Sequence, residues 1–236
     1  MKQDSNSFIA NGALISLMGF ILSGPVSVLV VMWIAPQPLW ISAEEFVSHY
    51  HPIQSLPYYF GFMLLLGLML LVTGHVISAN DAPPQMRLSL WLSFALAIVF
   101  VSLVAFNYIC QTLFIPHLVS TYTPQHDPLI AAFSMSNPYS LSWGMEMWGY
   151  AILGLSNWYM ASYYQRRKPF ISILLRMNLV LSLMSLAWTI LQPNWVDTTI
   201  GLLLFMAWNI LMILIMILLY RDARNITFGS PGLQGD

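Results

Sequence analysis

Charge is what this chain has least of. Of its 236 residues only 7% are Asp, Glu, Lys or Arg, against roughly 25% in a soluble domain, too few to cover a fold of this length with a polar surface. Cysteine is nearly absent too: the single Cys110 excludes an intramolecular disulfide, a CxxC redox pair and any cysteine-rich metal site. The only lysines are Lys2 and Lys168, neither inside an apolar run, which excludes a retinal-type Schiff base. A net charge of −1 offers no basic surface, so no nucleic acid is expected as a partner. There is no HExxH, no nucleophile–base motif and no pair of axial ligands placed for haem. The sequence therefore carries no catalytic signature and calls for no cofactor.

What the chain has instead is apolar length. Hydrophobic residues make up 58% of it, the mean hydropathy is +0.71, and runs of about 20 apolar residues recur. These predict an all-α, polytopic (multi-pass) transmembrane helix bundle of six spans. The spans are residues 12–34, 57–79, 88–115, 139–164, 170–191 and 196–220, between a polar tail at 1–11 and a second tail at 221–236. The first run is roughly 34 Å of helix, too long for a signal-peptide core and without a small-residue cleavage site. Pro25 in its middle predicts a kink. No inverted repeat relates the two halves.

Two loops are long. In the first, residues 35–56, Ser42-Ala43-Glu44-Glu45 is a capping box that predicts a short interfacial helix, with Trp40, Tyr50, Tyr58 and Tyr59 at headgroup level. In the second, residues 116–136, the stretch 129–133 is apolar enough for another short helix. Asn137-Pro138 predicts the N-cap and first position of the fourth span.

All eight basic residues fall at one end of this arrangement: Lys2, Arg87, Arg166, Arg167, Lys168, Arg221 and Arg224, with Arg176 two turns into the fifth span. The opposite loops hold no Lys or Arg. The positive-inside rule then predicts cytoplasmic termini, in an inner (plasma) membrane. The Asn225-Ile226-Thr227 glycosylation pattern would lie on the wrong side and is read as a chance match.

Glu146 is the one carboxylate within an expected span away from its ends, and such a residue is a functional-site hypothesis. Helical spacing aligns Ser142, Glu146, Tyr150 and Asn157 on one face. Asn107 and Gln111 of the third span and Gln192 at the end of the fifth lie at similar depth. Together these residues predict a polar pocket in the outer half, around Glu146. The competing reading makes Glu146 interhelical glue bonded to Asn107 or Gln111, or a shallow hydrated group. A metal site is a further expectation: His49, His51, His117 and His126 crowd the two long loops, with Glu44, Glu45 and Asp127 nearby, but without a recognised ligand spacing. His75 reads as a packed core histidine.

Asn137-Pro138, Trp143-Gly144-Met145-Glu146-Met147, Gly149-Tyr150 and Gly154-Leu155 resemble a recurring helix of uncharacterised bacterial six-helix membrane proteins, a domain-of-unknown-function family. That resemblance implies a fold class and again singles out Glu146, but implies no activity. The expected function is an integral membrane protein binding a small or lipidic ligand, or a partner helix, through the pocket. A small transporter, or an intramembrane enzyme using Glu146 as acid or base, is the alternative.

Overall fold

The computed structural model describes residues 2–80, 82–195 and 198–228. Regular structure among them is entirely helical: α1 (Lys2–Ile21), α2 (Ser27–Ile34), α3 (Ala43–His49), α4 (Leu56–Ser78), α5 (Pro84–Ile109), α6 (Ile115–Ser120), α7 (Asp127–Phe133), α8 (Leu141–Tyr164), α9 (Pro169–Leu191) and α10 (Thr199–Phe228). One-turn π segments join α1 to α2 (Leu22–Val26) and α5 to α6 (Cys110–Phe114), so each pair runs on as a single rod. Five helical stretches are long and apolar enough to cross a membrane: Ser5–Ile34, Pro52–Ser78, Pro84–Ser120, Pro169–Leu191 and Thr199–Asn225. The chain is an integral-membrane helix bundle. At 24 residues α8 is as long as its neighbours, but it is not among the five, because serines, Asn157 and Glu146 dilute its apolar character.

Three rods outrun their expected ends. Residues 2–11 are helical rather than a tail, and Ser5, Ile9 and Ala10 are buried. The α5–α6 rod continues past Pro116 to Ser120, which takes His117 out of the loop and onto a helix. A proline lacks the N–H that an α-helix needs. Both π segments sit at one, Pro25 inside the first and Pro116 just after the second. The rod therefore changes winding where a break or sharp kink was the alternative. α10 extends to Phe228, so Arg221, Asp222 and Arg224 are helical rather than part of a tail. Val196, Asp197 and residues 229–236 lie outside the described residues.

The bundle has two distinct ends. At the basic end Lys168 Nζ lies 3.8 Å from Asp222 of α10, and Arg176 of α9 donates to Gln165 at 3.1 Å, tying the 165–168 turn to both helices. At the loop end α3, α6 and α7 bury Phe46, Ile115, Leu118 and Ile130 in a small core of their own. Ser42 caps α3 as expected, accepting from Glu45 N at 3.1 Å. α3 is nevertheless docked on its neighbours rather than lying free along an interface.

α1 and α4 pack backbone to backbone. Gly12 and Gly19 on α1, and Gly67 and Gly74 on α4, each recur after seven residues and face the partner helix. A Cβ on Gly12 would fall on the Leu71 backbone, on Gly19 on that of Leu64, and on Gly67 on that of Ser16; on Gly74 it would lie 2.7 Å from Ile9 Cγ1. Helices in lipid gain contact by this close approach. Gly149 and Gly154 serve α8 the same way, against Val104 and Leu179, whereas Gly144 meets nothing within 4 Å. Gly67→Leu is therefore expected to lower stability by about 1–3 kcal/mol or more through overpacking, while Gly144→Ala should be neutral or slightly stabilising. Thermal unfolding of the two variants in detergent checks this, and equal melting temperatures would contradict the close α1–α4 contact.

Candidate functional site

The site is built on a polar seam between α5 and α8. Ser89 pairs with Ser162 at 3.0 Å, Ser93 with Ser156 at 3.0 Å, Asn107 with Glu146 at 2.7 Å and Gln111 with Ser142 at 3.4 Å. Positions that climb α5 descend α8, so the two helices run antiparallel along the length of this seam. Ser140, rather than Asn137, caps α8, accepting from Trp143 N at 3.0 Å. Asn137 instead organises the preceding turn, accepting from Tyr139 N and donating to Ala131 O at 2.7 Å. With Leu141 as the first helical residue, Glu146 lies roughly 7–8 Å along the helix.

Glu146 is 6% exposed. Its Oε2 accepts from the Asn107 amide at 2.7 Å and its Oε1 from the Tyr108 hydroxyl at 3.4 Å, and Tyr150, one turn further along α8, interacts with the same carboxyl. Behind Asn107 the network continues: Gln111 donates to Asn107 Oδ1 at 3.1 Å and to Phe133 O at 2.7 Å, while its own Oε1 accepts from Met135 N at 3.2 Å. The carboxyl is thus tied, through two amides, to the backbone of the segment joining α7 and α8.

Gln111 sits in the second π segment. Inserting a residue into the helix frees backbone carbonyls, and donors from α4 and the turn before it answer them: Ser55 Oγ to Gln111 O at 2.8 Å and Tyr59 Oη to Thr112 O at 3.3 Å. Gly61 of α4 leaves the space that the Tyr108 ring fills.

In front of Glu146 lies a cavity of about 300 Å³. Glu146, Met147, Tyr150 and Trp143 of α8 form one wall, with Tyr108 and Tyr58 beside them. The far wall carries Ser23 and Gly24 of the first π segment, Ser182 and Ser185 of α9, and Trp208 and Asn209 of α10. Met135 and Trp143 also border a second hollow, of about 190 Å³, lined by Gln37, Trp40 and Ser136 at the loop end. The Trp143 Nε1 is buried without a hydrogen-bond partner.

The structure thus gathers five of the seven expected pocket residues, in two layers. Glu146 and Tyr150 face the cavity, and Asn107, Gln111 and Ser142 stand behind the carboxyl. Asn157 shares their helix face but lies three turns deeper, buried away from the cavity with Nδ2 unpartnered. Gln192 is exposed just beyond the end of α9 and contributes nothing. Sequence reasoning missed Tyr108, Trp143, Met135 and Trp208, and it assigned Tyr58 to the headgroup level although it lines the cavity.

The histidines do not form a metal centre: among the described residues no three His, Cys, Asp or Glu side chains gather as a ligand set. Each expected ligand is engaged locally or stands apart. His49 lies 3.4 Å from Glu45 within α3, and His51 caps Ile53 N. His126 bonds Leu118 O, and His117 is exposed on α6. Asp127 accepts from the Tyr122 hydroxyl at 2.8 Å, a bond that holds the Tyr122 pKa above its ordinary value. His75 is fully buried, donating from Nδ1 to Leu71 O at 2.7 Å, with Nε2 2.6 Å from the Tyr164 hydroxyl.

Comparison with protein-family models, with curated proteins and with solved structures finds no match for this chain. The site is therefore read from its own geometry.

Asn107→Leu removes the donor at 2.7 Å from a buried carboxyl and is expected to cost about 1–3 kcal/mol. Adding Glu146→Leu should recover much of that loss, because no buried acceptor is then left unpaired. Tyr108→Phe, which removes a 3.4 Å contact, should cost less. A double-mutant cycle by thermal unfolding in detergent measures the coupling, and additive losses for the Asn107–Glu146 pair would refute the bond.

Proposed function

We propose that this protein is a six-span membrane protein that binds a small or lipidic ligand in the cavity in front of Glu146. The observation that carries the proposal is where the carboxyl points. It faces a hollow between helices, lined by residues of α2, α4, α5, α8, α9 and α10, and its supporting network holds it there. A buried carboxylate used only as glue would have no need of the space beside it. A cavity of about 300 Å³, largely apolar with a few convergent polar groups, is the usual form of a small-molecule site.

The sixth span is α8. Its polar face is taken up by the seam to α5, while Leu141, Trp148 and Leu155 repeat along an exposed face suited to lipid. It returns the chain from the loop end, where α6 and α7 lie, to the basic turn that opens α9. With Lys168 and Asp222 at that end, the charge bias favours cytoplasmic termini and a loop end facing outward. The setting that fits is a bacterial inner membrane, in line with the resemblance of α8 to uncharacterised bacterial membrane proteins.

Two measurements test these points. Native mass spectrometry of the purified protein should show a bound small molecule that is lost when the cavity is filled by Ser185→Trp; an empty wild type would count against the ligand reading. For topology, Cys110 is replaced by Ala and single cysteines are placed at exposed Gln125 or Gln165, which flank α8. A membrane-impermeant maleimide should label position 125 in intact cells and position 165 only after permeabilisation. The reverse pattern would overturn the orientation, and labelling of both from outside would overturn the count of six.

A further inference from the structure

We infer that the ligand of this cavity is a compact organic ammonium ion, gripped by the Glu146 carboxylate and the aromatic rings around it. The inference rests on the ligand-binding reading above and adds the ligand's chemistry.

Charge is the first argument. Among the described residues that line the cavity, Glu146 is the only formally charged group, with no Lys, Arg or His on any wall. Its partners are neutral donors, an amide and hydroxyls. They hold the carboxyl in place without supplying a countercharge, and a carboxyl's two oxygens accept more bonds than these supply. An anionic ligand would meet this carboxylate head on. A ligand of opposite sign supplies the missing countercharge in a place where water does not screen it.

The rings are the second argument. Tyr58 packs on Tyr108 with centroids 5.6 Å apart, Tyr150 on Trp208 at 4.8 Å, and Trp208 on Phe20 at 5.7 Å. All five rings border the cavity, and Tyr108 and Tyr150 both reach the Glu146 carboxyl. They therefore give the cavity an aromatic lining, two members of which touch the carboxyl. Aromatic faces attract cations, most strongly where the cation is stripped of water, and this is how quaternary ammonium groups are commonly recognised. Serine hydroxyls at positions 23, 182 and 185 and the Asn209 amide complete the far wall. They can accept hydrogen bonds from ammonium N–H groups or from a ligand hydroxyl.

Size and access agree. About 300 Å³ accommodates an ammonium head with a short chain and excludes a large polar solute. Met135 and Trp143 border both this cavity and the hollow at the loop end, so displacing these two side chains would join the two and admit a dissolved cation. An ammonium headgroup carried by a lipid has the same chemistry, and the test separates the two sources.

The protein is reconstituted in nanodiscs of phosphatidylglycerol alone and titrated with choline and, separately, with its neutral carbon isostere 3,3-dimethylbutan-1-ol. Tryptophan fluorescence and melting temperature are the readouts. Choline should bind saturably and raise the melting temperature, with the isostere roughly tenfold weaker or worse. Glu146→Gln should lose the choline response, its own ligand-free melting curve showing whether it folds. The wild-type choline–isostere comparison needs no variant at all. If choline fails but added phosphatidylcholine stabilises wild type over Glu146→Gln, the ammonium is lipid-borne and the inference stands. Equal binding of choline and isostere would overturn the ammonium assignment while leaving the cavity a binding site. A neutral or anionic molecule found in the purified protein would do the same. If nothing binds and nothing co-purifies, both readings fall.

Discussion

The 2.7 Å hydrogen bond between Asn107 and Glu146 is the contact on which the loop-end half of the bundle depends. A carboxyl inside a helix bundle in lipid has no water to turn to, so its position is set by whichever donors the protein supplies. Asn107 supplies the best one, and it is itself fixed by Gln111, which is held in turn by Phe133 O and Met135 N. The chain of bonds therefore begins in the cavity and ends on the backbone segment that leads into α8. One network orients the charged group and anchors the rim above it.

That network needs an irregular helix. Gln111 reaches both Asn107 and the 133–135 segment from within a π segment, and the carbonyls around it are answered by Ser55 and Tyr59. The first π segment, Leu22–Val26, contributes Ser23 and Gly24 to the same cavity. Both breaks in regular winding thus border the site. Elsewhere the backbone is pulled together instead, with the seven-residue glycine pairs of α1 and α4 bringing two helices into direct contact. Tight packing there and wider winding here let one bundle hold a rigid wall and an open space side by side.

Much of this was legible in the sequence, and the failures have physical reasons. Helix positions follow from apolar runs and proline-bearing turns, and the α3 cap from its Ser-x-x-Glu spacing. Glu146, Asn107, Gln111, Ser142 and Tyr150 could be grouped because helical periodicity and depth are simple functions of residue number. Asn157 passes the same periodicity test, but eleven residues carry it roughly 16 Å along the axis, out of the cavity. Gln192 was misplaced because α9 ends at Leu191 and the next residue leaves the bundle face. Tyr58, Tyr108 and Trp208 gave no signal, since aromatic residues are 14% of the chain and no local pattern marks the few that line a cavity. Tyr108 is also adjacent in sequence to Asn107, and a regular helix turns neighbouring side chains about 100° apart; a cleft at the carboxyl admits both. The loop histidines invited a metal because they are close in sequence or topology, whereas local capping and pairing claim most of them first.

α8 shows why the helix that carries the chemistry is the one that hydropathy undervalues. Most of the polar groups that lower its hydropathy have a use inside the bundle: Ser156 and Ser162 join it to α5, Ser142 meets Gln111, and Glu146 faces the cavity. Unpaired, a helix with this composition would be poorly suited to lipid. Paired along the seam to α5, it exposes Leu141, Trp148 and Leu155 on its outer side and keeps its polar side within the protein. Taken as the sixth span proposed above, the helix is suited to a membrane only in the company of α5. The same pairing that shelters its polar side is what delivers a carboxyl group, with neutral partners, to the wall of an aromatic cavity.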